Sequence, residues 1–200
     1  MGVIFYIIGK SSSGKDTIFN IIKNDKELNL DTIVPYTTRP IRDGETEGVE
    51  YHFVDDDKFR QLLSDNAVIE YRTYHTMHGD WTYFTAQDDS INLDRGSYIA
   101  LGVLEAYTSF VKYFGPERVV PIYIDVEDGE RLARALKRER LPENRKYAEM
   151  CRRFLADLED FSTEKIKQAG ITAENIFEND DLESCVDKIK SYISSMMSNK

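Results

Sequence analysis

Three apolar segments of the chain have the pattern of strands that are buried on both faces. Residues 3–8 are β-branched or aromatic without a polar interruption, and residues 98–104 and 119–124 have the same character. Continuous runs of this kind are typical of central strands in a parallel sheet, because helices cover both faces of such a sheet. A shorter run, residues 175–177, is the last strand candidate.

Segments with helical periodicity separate these strands. From Ile18 onward, apolar residues recur at positions i, i+3 and i+4, which predicts a helix that begins near Thr17 and has one apolar face. Later segments predict helices over residues 55–63, 130–140 and 147–161 and from Asp180 onward. Buried strands that alternate with helices predict an α/β fold in which helices flank a parallel sheet.

One long region interrupts this alternation. It begins with residues 35–51, which are rich in Thr, Arg, Gly and Pro, and it contains two short strand candidates at residues 68–71 and 81–84. We therefore expect an inserted small lobe over residues 35–95. The core is then formed by residues 1–34 and 96–200.

A glycine-rich loop joins the first strand to the first helix. Its sequence is Gly9-Lys10-Ser11-Ser12-Ser13-Gly14-Lys15-Asp16-Thr17, which has the form G-x-x-x-x-G-K. The glycines let consecutive backbone N–H groups point at one anion, the helix adds its positive end, and Lys15 reaches the β- and γ-phosphates. The alternative is a glycine turn with a solvated lysine. The position between a buried strand and an amphipathic helix favours an ATP-binding loop and a P-loop NTPase-type core.

The residue that follows Lys15 departs from the usual pattern. A Ser or Thr normally stands there and its hydroxyl contacts Mg²⁺, whereas this chain has Asp16. A carboxylate at a helix N-terminus is favoured by the helix dipole but repels phosphate. Either Asp16 ligates Mg²⁺ directly or Thr17 supplies the hydroxyl, and both remain open.

Composition narrows the classes of function. The 26 basic and 36 acidic residues give a net charge of −10, which argues against an extended nucleic-acid surface. No apolar run approaches the roughly 20 residues that span a membrane, and the N-terminus lacks the pattern of a signal peptide. Cys151 and Cys185 are too few for a disulfide framework or a four-ligand zinc site. We expect a cytoplasmic protein with reduced thiols.

A second informative segment covers residues 36–53. It contains the pattern T-T-R-x-x-R-x-G-E-x-x-G-x-x-Y-x-F, in which Arg39 and Arg42 lie three positions apart. Two guanidinium groups beside hydroxyls and a tyrosine are suited to clamping a phosphate. Taken alone, the segment is equally consistent with a solvated basic loop.

Together, the glycine-rich loop and this segment resemble the guanylate kinase family of nucleoside monophosphate kinases. Supporting similarities are Ile69-Glu70-Tyr71, the stretch from His78 to Thr85, and Asn179-Asp180-Asp181-Leu182-Glu183. The resemblance extends over most of the chain. It implies transfer of the γ-phosphoryl group of ATP to GMP or a close analogue with Mg²⁺, small-molecule nucleotides as partners, a monomer or dimer, and a helical lid over about residues 131–153.

The resemblance also implies a role for each matching residue. The phosphate of the acceptor nucleotide would be held by four side chains, Arg39, Arg42, Tyr51 and Tyr83. Glu70 would accept hydrogen bonds from guanine N1 and the exocyclic amine, and Thr85 would donate to the guanine carbonyl. Without the resemblance, Glu70 is an exposed carboxylate on a strand. Asn179 would contribute to ATP binding.

Arginines of the predicted lid form the remaining positive cluster. Arg134 and Arg138 lie four positions apart on one helix face, and Arg153 follows in the next helix. The resemblance implies that these three, together with Lys15, Arg39 and Arg42, neutralise charge on the transferring phosphoryl group. The alternative is a salt-bridged surface helix, since glutamates lie nearby.

Three departures from the family pattern leave the acceptor open. Pro35 stands where the family has a serine that contacts the base, and Leu101-Gly102-Val103 replaces a D-x-D, for which Glu105 is a possible substitute. Phe84 replaces a glycine, so we expect a narrower base pocket. Two alternatives therefore stand beside the kinase: a catalytically impaired binding module, and a kinase for another phosphorylated small molecule.

Overall fold

A computed structural model of the chain describes residues 2–76, 79–141 and 145–198. These residues contain nine strands and seven α-helices. The strands are β1 (Ile4–Gly9), β2 (Asp31–Thr32), β3 (Tyr36–Thr37), β4 (His52–Phe53), β5 (Val68–Thr76), β6 (Gly79–Ala86), β7 (Tyr98–Gly102), β8 (Val119–Asp125) and β9 (Ile176–Glu178). The helices are α1 (Lys15–Lys23), α2 (Asp56–Ser64), α3 (Leu104–Phe114), α4 (Asp128–Glu139), α5 (Tyr147–Asp160), α6 (Thr163–Gln168) and α7 (Leu182–Ser198).

A five-stranded sheet with the order β2-β7-β1-β8-β9 forms the core, and each of its pairings is parallel. The central strand β1 is completely buried. Its even-numbered residues pack into one apolar cluster and its odd-numbered residues into the other. This alternation explains the unbroken apolar run in the sequence, because both faces of the strand are covered.

Helices cover the two faces of this sheet. On one face, Tyr107 and Phe110 of α3 pack with Phe161 into the first cluster. On the other face, Ile18 and Ile22 of α1 pack with residues of α7 into the second cluster. The predicted α/β fold with a parallel sheet between helices is therefore confirmed. No helix in the described part of the chain is long and apolar enough to cross a lipid bilayer.

A second sheet of four strands has the order β4-β3-β6-β5, and its strands all come from residues 36–86. Strands β5 and β6 pair antiparallel from Glu70 opposite Thr85 to Thr76 opposite Gly79. One face of this sheet packs on α2, where the ring of Phe59 lies 4.8 Å from that of Phe84. The sheet lies within the region predicted as an inserted lobe.

Some element boundaries differ from the predicted ones. The strand predicted over 98–104 ends at Gly102, because Val103 is the N-cap of α3. The two strands predicted as short segments of the second sheet extend over nine and eight residues, since they pair with each other along their length. The last helix, predicted from Asp180 onward, begins at Leu182, and the carboxylate of Asp181 accepts a hydrogen bond from the backbone N–H of Ser184 at 2.9 Å.

Candidate active site

The glycine-rich loop leaves β1 and turns into α1 through two residues with positive φ, Ser12 (64°) and Gly14 (87°). Gly14 is the N-cap of α1 and has no side chain to cap the helix, so the first-turn N–H groups lack a side-chain partner at this end. A Cβ on Gly14 would lie 2.4 Å from Nδ2 of Asn179. The local geometry therefore presents an uncapped, positive helix end, as an anion-binding loop requires.

Asn179, which directly follows the edge strand β9, contacts this loop. It is 3% exposed, and its Nδ2 donates to the carbonyl oxygen of Ser13 at 2.7 Å. Its own carbonyl accepts a hydrogen bond from Nη2 of Arg134 at 3.0 Å. Asn179 thus fixes the backbone of the predicted ATP-binding loop.

The two lysines of the loop have different partners. Nζ of Lys15 lies 3.2 Å from the exposed carboxylate of Asp16, whereas Nζ of Lys10 donates to Asp128 at 3.0 Å. Partial burial disfavours the ionised form of Asp128, but hydrogen bonds from Arg131 and Lys10 outweigh this and hold its pKa below the usual value. Lys10 is therefore part of a structural ion-pair network, whereas Lys15, within the described part of the chain, pairs with its exposed neighbour Asp16 alone.

A buried arginine ties α4 and α5 to the loop. Arg131 is 1% exposed, and its guanidinium donates to Asp128 at 2.7 and 3.0 Å, to Asp157 at 3.2 Å and to the carbonyl of Ser11 at 2.9 Å. Asp157 in turn accepts the N–H of Ser11 at 2.8 Å. These roles of Arg131 and Asp157 were not predicted from the sequence. The i, i+3 spacing of Asp128 and Arg131 was the available signal.

The three predicted lid arginines have different surroundings. Nη2 of Arg138 donates to Oγ of Ser12 at 3.1 Å and so contacts the loop directly. Arg134 pairs with Glu130 and Arg153 pairs with Glu149, each at 2.8 Å, which is the salt-bridged arrangement of the alternative interpretation. Arg138 and Arg153 line one cavity of about 200 Å³ beside the loop, together with Ser11, Ser12, Met150 and Phe154.

The arginine–threonine segment forms a compact cluster around Arg39. The side chain of Arg39 is 3% exposed. Its guanidinium donates to Glu45 at 2.8 and 2.5 Å and to Oη of Tyr83 at 3.1 Å. The rings of Tyr51 and Tyr83 lie 5.1 and 5.9 Å from its central carbon. The hydrogen bond from Arg39 holds the pKa of Glu45 down to about 2.

Arg42 lies beside this cluster and is exposed. Its guanidinium carbon is 5.9 Å from the ring of Trp81, and its backbone N–H donates to Glu45 at 2.8 Å. Among the described residues, Arg42 has no ion-pair partner. Arg42 therefore presents a cation that is open to an anionic ligand, whereas Arg39 is largely occupied.

Glu70 and Thr85 lie opposite each other on β5 and β6. Oγ1 of Thr85 donates to Glu70 at 2.9 Å. Burial of the Glu70 carboxyl raises its pKa, and the hydrogen bond from Thr85 and the charge of Arg72 only partly offset this. The structure thus brings together the two residues that were predicted to contact the base.

Phe84 does not narrow this pocket, contrary to expectation. Its ring stacks on Tyr36 at 5.1 Å and lies 4.8 Å from Phe59 of α2. Successive residues of a strand point to opposite faces, so Phe84 points away from the face of Glu70 and Thr85. The residue fills the small core of the second sheet and is fully buried.

Tyr6 explains the glycine in the segment that replaces D-x-D. A Cβ on Gly102 would lie 2.3 Å from Oη of Tyr6. Tyr6 is buried against Tyr107 and Phe110, with ring centroids 5.8 and 4.8 Å apart. The end of β7 is therefore packed against an aromatic side chain from β1.

An ion pair links the second sheet to the core. Nη2 of Arg72 on β5 lies 2.6 Å from the carboxylate of Glu105, in the first turn of α3. This role of Arg72 was not predicted, although its two-residue spacing from Glu70 places both side chains on one face of the strand. Glu105, named as a possible substitute for the absent carboxylates, lies at this junction.

The parallel sheet, the helices on both faces and the glycine-rich loop between β1 and α1 define an α/β protein of the P-loop nucleotide-binding class. A family model described as guanylate kinase matches residues 3–196, and the chain belongs to the guanylate kinase family.

Individual relatives differ in how much of the chain they match. The guanylate kinase of Bacillus subtilis (strain 168) is 26% identical over 197 residues, covering 96% of this chain and 88% of that protein. The guanylate kinase of Sphingopyxis alaskensis is 44% identical over 71 residues, so that match covers 35% of this chain and 31% of that protein. The crystal structure of guanylate kinase from Anaplasma phagocytophilum covers 97% of this chain and 85% of its own, with a TM-score of 0.63 and 23% sequence identity.

Proposed function

We propose that this protein transfers the γ-phosphoryl group of ATP to the phosphate of GMP or a close analogue, giving ADP and the nucleoside diphosphate. Three features of one chain carry the proposal. They are a glycine-rich loop at the uncapped N-terminus of α1, a cluster of Arg39 with tyrosines, and the hydrogen-bonded pair of Glu70 and Thr85 on one face of the second sheet. Membership of the guanylate kinase family supports the same reaction.

The donor site is proposed on the loop. Its backbone N–H groups and Lys15 hold the phosphates of ATP. Asn179 maintains the conformation of the loop through its hydrogen bond to the carbonyl of Ser13. Two loop amides are already bonded, that of Ser11 to Asp157 and that of Ser13 to the carbonyl of Lys10, so the remaining amides of the loop serve the ligand. Arg138, which contacts Ser12, is the lid arginine in closest reach of the phosphates.

The acceptor site is proposed on the second sheet. Arg42 and the hydroxyls of Tyr51 and Tyr83 bind the acceptor phosphate. Arg39 positions this set, because its Nε donates to Oη of Tyr83 and leaves the phenol proton free for the ligand. Glu70 and Thr85 face the base.

The chemistry needs positioning and charge neutralisation without a covalent intermediate. An oxygen of the acceptor phosphate attacks the γ-phosphorus of ATP, the bond to the β-bridging oxygen breaks, and ADP leaves. Lys15, Arg42, Arg134, Arg138 and Arg153 supply positive charge around the equatorial oxygens. Arg134 and Arg153 must exchange their glutamate partners for the ligand, which the proposed lid over about residues 131–153 allows on closing; residues 142–144 lie outside the described part.

Magnesium fits this site as an ion carried by the nucleotide. In the described residues, no group of three or more His, Cys, Asp or Glu side chains is placed to hold a metal. Asp16 and Thr17 are exposed at the start of α1 and offer one carboxylate and one hydroxyl. Mg²⁺ commonly takes one or two such ligands, with phosphate oxygens and water completing the octahedron. When bound, it neutralises phosphate charge.

A coupled assay of ADP release tests the proposal. With ATP and Mg²⁺, we expect turnover with GMP and dGMP well above that with AMP, CMP and UMP, and an ATP-dependent rise in melting temperature. A binding module would give neither signal, and a kinase for another phosphorylated compound would bind ATP but leave all five nucleotides unchanged. We also propose that the protein acts in the cytoplasm as a monomer or dimer.

A further inference from the structure

Four side chains form a two-by-two array on one face of the second sheet. Glu70 and Arg72 are alternate residues of β5, and they lie opposite Thr85 and Tyr83 of β6, respectively. Alternate residues of a strand share a face, and residues directly opposite in a pair share it too. Three members of the array are proposed contacts of the acceptor nucleotide. Arg72 is the fourth.

Arg72 is held over the junction between the two sheets. Its guanidinium bonds to Glu105 at 2.6 Å, and Glu105 lies in the first turn of α3, just after β7 ends. Glu70, Arg72 and Glu105 line one cavity of about 250 Å³. Arg72 therefore lines the same cavity as the carboxylate that is proposed to contact the base.

On this face of the described structure, two side-chain donors remain for a ligand, the guanidinium of Arg72 and the phenol of Tyr83, and the phenol is assigned to the acceptor phosphate. Thr85 donates its hydroxyl proton to Glu70. Pro35 carries no side-chain donor, and Leu101 and Val103 carry no polar group. Glu70 accepts from a donor–donor edge of a base, so the acceptor atoms of the same base need a donor from elsewhere.

A guanine presents two such acceptors, O6 and N7, on one edge, and arginine binds them through two parallel N–H groups. Alternate residues of a strand are about 6.7 Å apart. A purine lying over the strand therefore places its N1 and 2-amino edge at Glu70 and its O6 and N7 edge within reach of Arg72.

We propose that Arg72 is a specificity-determining residue, which donates hydrogen bonds to O6 and N7 of the acceptor purine. Glu105 is the positioning residue that holds the guanidinium over the cavity. This inference rests on the proposed function and narrows its substrate class to 6-oxopurine nucleoside monophosphates with an intact N7. A 6-aminopurine presents a donor at position 6, which conflicts with the guanidinium.

The test compares kcat/KM for GMP and 7-deaza-GMP, which lacks the N7 acceptor. The wild-type enzyme is expected to prefer GMP by about tenfold. R72M is expected to lower kcat/KM for GMP by about 10- to 100-fold and to bring the ratio of the two substrates close to one. R72K keeps the charge without the two-pronged geometry and is expected to lose most of the preference.

Two further variants distinguish binding of the purine by Arg72 from positioning of Arg72 by Glu105. R60M is the matched control, because Arg60 is an exposed arginine paired with Asp57 on α2, and we expect both kcat/KM values to stay at the wild-type level. E105Q removes the charge that holds the guanidinium, and it is expected to raise KM for GMP and to reduce the preference for N7 by less than R72M does. Melting temperatures of all variants establish that each is folded.

The outcomes for the inference and for the proposed function are distinct. An enzyme that turns over GMP while R72M and R72K keep the wild-type preference for N7, or lower both substrates equally, shows that Arg72 only joins the lobe to the core. That result overturns the inference and leaves the kinase intact. A wild-type protein that turns over none of the nucleotides removes the proposed function, and the inference with it.

Discussion

Glu45 holds the guanidinium of Arg39 by two hydrogen bonds of 2.8 and 2.5 Å. A guanidinium has five N–H donors, and the bonds to Glu45, to Oη of Tyr83 and to the carbonyl of Pro40 occupy four of them. Arg39 therefore serves to fix the cluster, and the exposed Arg42 beside it is the open cation.

Replacing Glu45 with Gln should destabilise the protein in a pH-dependent way. The pKa of Glu45 is lowered from 4.5 to about 2, so the ion pair stabilises the fold above pH 4.5 and this contribution is lost as the pH falls towards 2. We expect E45Q to melt at a lower temperature than wild type at pH 7, and the difference to shrink in acid. Melting curves between pH 2 and 7 measure this. A difference that stays constant over the range would contradict the assignment.

Lys15 should be required for both ATP binding and turnover. In K15M we expect turnover to fall by about 100-fold or more, and the ATP-dependent rise in melting temperature to decrease. K26M is the matched control, because Lys26 is exposed beyond the end of α1. Thermal shift with ATP and the ADP-release assay provide the two measurements. Equal behaviour of K15M and K26M would mean that the loop lysine is a solvated residue.

Glu70 should show opposite effects on stability and on activity. Burial raises its pKa above 4.5, so its ionised form costs stability once the pH exceeds the raised pKa and costs none below pH 4.5. E70Q is therefore expected to melt at a higher temperature than wild type at pH 8 and at the same temperature near pH 4. Its kcat/KM for GMP should fall by about 10- to 100-fold, because a charged acceptor is lost. A stable variant with full activity would mean that Glu70 does not contact the base.

The sequence predicted best where local chemistry decides the structure. The unbroken apolar run around Phe5 indicated a strand covered on both faces, and the glycines on either side of Ser12 indicated a loop that wraps an anion. Both depend on neighbours in the chain, so a single sequence is sufficient. The proposed contacts Arg42, Glu70 and Thr85 came instead from a resemblance to a family.

Features that depend on distant partners were not predictable in the same way. From the sequence, Phe84 is predicted to narrow the base pocket. The pairing of β5 with β6 places it on the opposite face of the sheet from Glu70, against Phe59. In the sequence, Arg131 is one of several arginines that are equally consistent with surface positions. In the structure it is buried and bonds to Asp157, which lies 26 positions away. The geometry in both cases is set by contacts between elements, which a local pattern does not contain.

The buried Arg131 should be a major determinant of stability. R131M leaves Asp128 and Asp157 without their shared partner, and removing one member of a buried ion-pair network costs about 3–5 kcal/mol. Arg152, whose exposed side chain pairs with Glu149 at 2.7 Å, is the control, and R152M should change the free energy of unfolding by less than about 1 kcal/mol. Urea denaturation measures both. Similar losses in the two variants would show that the network contributes little.

The contact between Gly102 and Tyr6 can be tested by a double-mutant cycle. In G102A, the new Cβ lies 2.3 Å from Oη of Tyr6, so the buried ring must shift, and overpacking of this kind costs about 1–3 kcal/mol. Y6F removes that oxygen, and the next nearest ring atom is 3.0 Å away. The G102A/Y6F variant should therefore lose less stability than the sum of the two single variants, with a coupling of about 0.5 kcal/mol or more. Gly96 is the control glycine, because the atom nearest to a Cβ there, Oδ2 of Asp31, is 3.8 Å away, and G96A should show no coupling to Y6F. Strictly additive losses for G102A and Y6F would mean that the glycine serves the turn into α3 and not the tyrosine beneath it.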